Sequence, residues 1–177
     1  MTARTALLGL ALLTAACGSE AGPAKPSGPV VDAANILSPN AEAALDAKLR
    51  RYWDQKETAI VVATVPSLKD ETVESAALRL YNEWGIGSAK TQRGVLLLIA
   101  HNDRKLRIEI GCGLETVLPT ENLAGIIRED IVPRFKAGDL EAGTNAGVDA
   151  LIRRIDSANV APGPVSRRCR EILKAAA

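Results

Sequence analysis

Between residues 58 and 110 the apolar positions change rhythm three times. Thr58 to Val65 (TAIVVATV) is a β-branched run closed by Pro66, the pattern of a strand buried on both faces. From Val73 onward the apolar residues recur as Val73, Ala77, Leu80, Tyr81 and Trp84. That is one face of a helix, which Asp70 opens and Gly85 ends. Gly94 to Ala100 (GVLLLIA) returns to a continuous apolar run and predicts a second buried strand. After a turn at His101-Asn102-Asp103, Leu106, Ile108 and Ile110 alternate with Lys105, Arg107 and Glu109, a hairpin partner with one wet face.

Helical spacing brackets this segment on both sides. Ser38-Pro39 is a helix start, Ser as N-cap and Pro at the first helical position, with Leu45, Leu49, Tyr52 and Trp53 forming one buried face. Thr120 caps a third helix carrying Leu123, Ile126, Ile127 and Ile131 before Pro133. A fourth runs from about Asp139 to Ile155 with Leu140, Gly143, Gly147, Ala150 and Leu151 inward. Past Ala161-Pro162-Gly163-Pro164, Ser166 to Lys174 reads as a short basic helix. Strand, helix and strand within about 40 residues make a right-handed βαβ unit, so the two buried strands are parallel and the hairpin adds an antiparallel third. The expected fold is a three-layer α/β/α sandwich, a small mixed sheet flanked by about four helices.

The N-terminus has a different character. A basic start at Arg4 precedes the apolar stretch Ala6 to Leu13, and Thr14-Ala15-Ala16 leads directly to Cys17. The apolar stretch falls short of the roughly 20 residues a membrane-spanning helix needs, and it reads as a signal peptide over residues 1–16. Ala-Ala-Cys resembles a bacterial lipobox, which implies lipidation at Cys17, a membrane-tethered lipoprotein and a periplasmic location. Gly18 to Pro29 (GSEAGPAKPSGP) is a flexible tether. The folded domain is expected over 30–156, followed by a linker and the short helix over 157–177. With Cys17 lipidated, Cys112 and Cys169 are left as an even pair in an oxidising compartment, either bridged or present as two separate thiols.

Composition narrows the partners. The 177 residues carry 22 Lys+Arg against 21 Asp+Glu, a net charge of +1, which excludes nucleic-acid binding by bulk electrostatics. Aromatic residues are 3%, too few for a base-stacking surface.

Candidate chemistry gathers where open α/β sheets place ligands, at the carboxyl ends of the parallel strands. Those ends are Pro66 to Asp70 and His101 to Asp103, so Asp70, Asn102 and Asp103 converge on one edge. Oxygen ligands of this kind suit a hard cation such as Ca²⁺, while Asn-Asp is equally the chemistry of a tight turn. One histidine permits no multi-histidine metal site. A Cys112–His101 dyad is excluded because the intervening strand separates them by roughly 25 Å.

Taken together, Val31-Asp32, Ile36-Leu37-Ser38, Trp84-Gly85-Ile86-Gly87, the Gly94–Ala100 strand, Asp103-Arg104-Lys105, Arg107-Ile108-Glu109, Gly111-x-Gly113-Leu114-Glu115 and Phe135-Lys136-x-Gly138-Asp139 resemble the TPM domain. That family is named for a thylakoid lumenal phosphatase-like protein, a photosystem repair protein and a worm receptor modulator. The resemblance runs from about Val30 to Ile155 and implies an α/β/α sandwich. It implies an exported, often membrane-attached domain that modulates membrane protein complexes, here with an envelope protein as partner. Some members bind Ca²⁺ through acidic loops. Carried over, the metal residues are Asp32 with Asn35 and Asn102 with Asp103. Others have acid phosphatase activity, for which Asp103 would be the catalytic residue, with Asp32 beside it around a divalent cation. Asn102-Asp103 stands where relatives can have two adjacent acids, and Cys112 stands where an aromatic is common between the two glycines, a replacement that fits a structural disulfide.

Overall fold

The computed structural model describes residues 26–158, 166, 167 and 169–171. The predicted signal segment, Cys17 and the predicted tether up to residue 25 lie outside the described residues. The elements run β1 (Val30–Asp32), α1 (Pro39–Lys56), β2 (Ala59–Val65), α2 (Val73–Trp84), β3 (Gly94–Ala100), β4 (Lys105–Ile110), α3 (Thr120–Gly125), a π-helical turn (Ile126–Ile131), α4 (Val132–Lys136) and α5 (Leu140–Ser157). The sheet order is β1-β2-β3-β4. β1 and β3 flank β2 in parallel, with Val30 beside Val62 and Ala59 beside Gly94, and β4 pairs antiparallel with β3 through Ala100 and Lys105.

Alternation inside the fully apolar strands builds two separate cores. Ile60, Val62, Val95, Leu97 and Ile99 point to one side and pack with Leu45 and Leu49 of α1 and with Val148 and Leu151 of α5. Val61, Ala63, Leu96 and Leu98 point to the other side, onto Ala77, Leu80 and Trp84 of α2. Such strands read as unbroken apolar runs because helices cover both faces. The molecule is the expected three-layer α/β/α sandwich with a mixed sheet.

Local chemistry sets the helix ends. The Ser38 side chain accepts from the Ala41 N–H at the start of α1, with Pro39 as its first helical residue. Gly85 ends α2 in the left-handed conformation at φ 62°, the conformation glycine adopts at least cost.

The structure departs from the sequence pattern at five places. Thr120 is the first residue of α3 and not its cap; Pro119 holds the cap position and no side chain caps the helix there. β1 is a fourth strand; only three residues long, it carries no periodicity to read. α2 is capped by Thr72, whose side chain accepts from the Ser75 N–H, and Asp70 lies in the preceding loop. Trp53 is 40% exposed and not part of the buried face of α1. The third helix does not stop at Pro133. The Val132 N–H reaches Ile127 O, five residues back, and this widened turn carries the chain through the proline as far as Lys136. Of the predicted C-terminal helix, Arg167 and residues 169–171 are helical, and the remainder lies outside the described residues.

Candidate functional site

The parallel strands end at Asp32, Val65 and Ala100 on one edge, with Asp32 beside Thr64 and Val65 beside Ala100. Asp32 closes the β1–α1 loop around itself. Its Oδ1 accepts from the Ile36 N–H at 3.1 Å and its Oδ2 from the Leu37 N–H at 2.8 Å. The buried Thr64 hydroxyl donates to Asp32 Oδ1 and accepts from the Ala34 N–H. Asn35 is exposed at φ 52°, a left-handed position that asparagine tolerates better than most residues. The first half of the predicted metal pair is therefore a turn residue beside a loop-closing carboxylate.

Asp103 does the same for the next pair of loops. Its Oδ2 accepts from the Leu68 N–H at 2.8 Å, and the Ser67 hydroxyl donates to Oδ1 at 3.4 Å. The Asn102 N–H donates to Pro66 O at 2.9 Å and the His101 N–H to Val65 O at 3.0 Å, so the β3–β4 turn is laced to the β2–α2 loop. The Asn102 side chain is exposed, and Arg104 takes the left-handed position of the turn at φ 52°. Asp70 shares the edge but is exposed and makes no hydrogen bond with Asp103. The Ser38 N–H donates to Glu141 Oε2 at 3.1 Å, tying the start of α1 to the start of α5.

Asp32 and Asp103 thus lie on one edge, each already accepting from a backbone N–H group. Ca²⁺ takes six to eight oxygen ligands. Among the described residues no group of three or more His, Cys, Asp or Glu side chains is arranged to hold a metal ion. As they stand, both carboxylates are engaged by N–H groups of the loops at this edge.

Sequence reasoning missed Thr64 and Glu141 in this network. The signal for Thr64 was available: a lone hydroxyl near the carboxyl end of an otherwise apolar strand needs a buried partner. Glu141 gave none, since its contact spans 103 residues of sequence.

At the opposite edge, Cys112 and Cys169 form a disulfide with Cα atoms 5.5 Å apart, and Cys169 is buried. His101 lies at the far end of β4 from it, in the turn after β3. The glycines on either side of Cys112 serve packing. A Cβ on Gly111 would strike the Tyr81 hydroxyl and one on Gly113 the Thr91 carbonyl. Burial, reinforced by the Glu109 carboxylate, pushes the Tyr81 phenol well above its ordinary pKa, so it stays neutral against these glycines.

A cleft of about 490 Å³ opens beside the lower half of β2, where Trp53, Trp84, Ile60 and Pro26–Pro29 face one another. Pro29 accepts from the Val62 N–H and, with no N–H of its own, adds no further bond to the β1–β2 ladder; Pro26–Pro29 line the cleft.

No curated protein sequence matches the chain significantly. Among solved structures, it is similar to the N-terminal domain of a protein from P. gingivalis at 34% identity and a TM-score of 0.67, covering 76% of this chain and 86% of that one. It shares its fold with the BA42 protein of the psychrophilic bacterium Bizionia argentinensis at 20% identity and a TM-score of 0.60, over 75% of this chain and 87% of that one. The N-terminal domain of cg2496 from Corynebacterium glutamicum has the same fold at 16% identity and a TM-score of 0.54, over 82% and 88% of the two chains. The model of the TPM domain matches residues 30–154, β1 through nearly all of α5, and the chain belongs to the TPM domain family.

Proposed function

We propose that the chain is an exported TPM domain, tethered to the periplasmic face of a bacterial membrane through acylated Cys17, that acts as an interaction or modulating module for envelope protein complexes. The observation that carries this reading is the Cys112–Cys169 bridge, because disulfides persist in oxidising compartments and are rare in the cytosol. With those two cysteines paired, Cys17 is the third and last of the chain, and it directly follows the short apolar segment and its small residues. Acylation there would leave the folded domain on a Gly/Pro/Ser tether of 12 residues, about 40 Å when fully extended.

The modulating role is supported by how the acidic edge is used. Asp32 closes the β1–α1 loop and Asp103 ties the β3–β4 turn to the β2–α2 loop, which suits a rigid surface presented to a partner. The alternative, a weak metal-assisted acid phosphatase, has in its favour only that Asp32, Asp103 and Arg104 share this edge. A phosphatase needs a nucleophile or metal-bound water together with a cationic clamp on the phosphate.

The test is expression of the full chain in a Gram-negative host beside Cys17→Ser. Membrane retention of the parent and release of Cys17→Ser into the soluble periplasm are expected. Equal distribution of the two removes the tether. Hydrolysis of p-nitrophenyl phosphate that disappears in Asp103→Ala while the fold is retained favours the phosphatase.

A further inference from the structure

The sheet has a second open edge, and it is not bare. The Gly111 N–H donates to Gly94 O, which fixes the antiparallel hydrogen-bond alternation along β4. Lys105, Arg107 and Glu109 therefore direct their backbone groups toward β3, and Leu106, Ile108 and Ile110 direct theirs outward. No backbone partner meets those outward groups among the described residues. Two clefts lie end to end along this edge. One of about 680 Å³ takes in Lys105 and Leu106, and one of about 570 Å³ takes in Arg107 to Ile110. The stretch from α3 to α4 walls both, through Leu123 and Ile127 in one and Val132 and Phe135 in the other.

The two ends of this groove carry opposite charge. His101, Arg104, Lys105 and Lys136 surround the Lys105 end, where no acid lines the cleft. Glu109, Glu115 and Glu121 surround the Ile110 end, where the one cation, Arg107, is already bonded to Glu109. Among the described residues no ion pair engages Arg104, Lys105, Lys136, Glu115 or Glu121. An open edge strand is a template for another strand, and its flanking charges select which one.

We propose that β4 and the α3–α4 wall form a docking groove for an extended segment of the partner protein, which adds as a fifth, antiparallel strand with acidic residues at its C-terminal end and a basic residue at its N-terminal end. Antiparallel pairing places the segment's C-terminal end against Arg104, Lys105 and Lys136, and its N-terminal end against Glu109 and Glu121. Main-chain bonds to Leu106, Ile108 and Ile110 supply affinity, and the end charges supply direction. Antiparallel pairing of two β4 strands about Arg107 sets Arg107 against Arg107 at its centre and Lys105 opposite Glu109 on either side; protection of the Leu106, Ile108 and Ile110 amides that grows with protein concentration in the absence of peptide marks a second copy as the occupant and overturns the proposal. The inference rests on the interaction-module reading and narrows it to one edge.

The test uses ¹⁵N-labelled full chain carrying Cys17→Ser and two nine-residue probes, acetyl-KTVTVTVDE-amide and its all-basic counterpart acetyl-KTVTVTVKK-amide. The acidic-ended peptide is expected to slow hydrogen exchange at the Leu106, Ile108 and Ile110 amides at least tenfold. The all-basic peptide should bind at least tenfold more weakly, and Lys105→Glu with Lys136→Glu should abolish the difference between the two. The Arg107 and Glu109 amides, already bonded to β3, report that the variant is folded. Equal binding of the two peptides, or unchanged exchange at the three amides, overturns the proposal. Protection by phosphatidylglycerol vesicles instead of peptide overturns it as well. Protection appearing at Ile60, beside Trp53, overturns this edge and leaves the interaction module standing; loss of the module reading itself is read separately, from the Cys17 fractionation.

Discussion

Replacing Asp32 with alanine separates a loop-closing carboxylate from a catalytic or metal-binding one. The side chain accepts from the Ile36 N–H, the Leu37 N–H and the Thr64 hydroxyl, all part-buried. Bonds to a charged acceptor contribute more than neutral ones, and the orphaned donors then pay desolvation, so about 1 kcal/mol per bond gives a loss of about 3 kcal/mol. With a urea dependence of about 1.5 kcal/mol/M for a domain of this size, the unfolding midpoint falls by about 2 M at unchanged slope. Asp32→Asn keeps one oxygen acceptor and should lose about half as much. Equilibrium urea denaturation followed by tryptophan fluorescence measures all three proteins. A carboxylate held ready for a cation or a substrate would behave in the opposite way, since its removal commonly leaves stability unchanged or raised. A loss below about 0.5 kcal/mol for Asp32→Ala, within the range of ordinary surface substitutions, would refute the loop-closing role.

Three further outcomes follow from the same structure. Cys112 and Cys169 close a loop over 57 residues of sequence, and on the chain-entropy model replacing both with serine costs up to about 4 kcal/mol; calorimetric melting of parent and variant in parallel measures it, and an unchanged melting temperature contradicts it. The Arg79 guanidinium bonds both oxygens of Glu71 at 3.2 and 2.9 Å and holds its carboxyl below the ordinary range. That pair's contribution is complete above the unfolded glutamate value of about 4.3 and is lost as pH falls through the lowered folded value. Glu71→Gln should therefore cost about 0.5 kcal/mol at pH 7, a figure limited by solvent screening at this half-exposed site, and nothing at pH 2; a cost that grows toward low pH has the wrong sign. Calorimetric titration of the Cys17→Ser chain with CaCl₂ to millimolar concentration should give no saturable heat, and saturable binding that disappears in Asp103→Ala would establish a cation site at this edge.

The layers were legible because burial on both faces leaves an unmistakable mark. TAIVVATV and GVLLLIA admit little but strands covered by helices, and the spacing from Val73 to Trp84 supplies the crossover between them. β1 was not legible, since Val30–Asp32 is held in the sheet by Val62–Thr64 rather than by a pattern of its own. Pro133 misled for a related reason. Proline ends an α-helix by local rules, but a widened turn fixed by packing of Ile126 and Ile131 in the core absorbs it. At the acidic edge the sequence placed Asp103 at the right end of the sheet. It could not say that the carboxylates face backbone N–H groups of their own loops, because an Asp that closes a turn and an Asp that waits for a ligand are spelled alike. The opposing charges along β4 depend on Lys136, Glu115 and Glu121 coming beside Lys105 and Glu109, a proximity that only the tertiary fold creates.

Intact-mass and peptide mass spectrometry of the chain recovered from the membrane fraction, without reduction, tests the account most directly. The predicted result is a mature chain beginning at diacylated Cys17, with the Cys112 and Cys169 peptides joined. A membrane-fraction chain bearing an unmodified Cys17, with Cys112 and Cys169 recovered as free thiols, would contradict it.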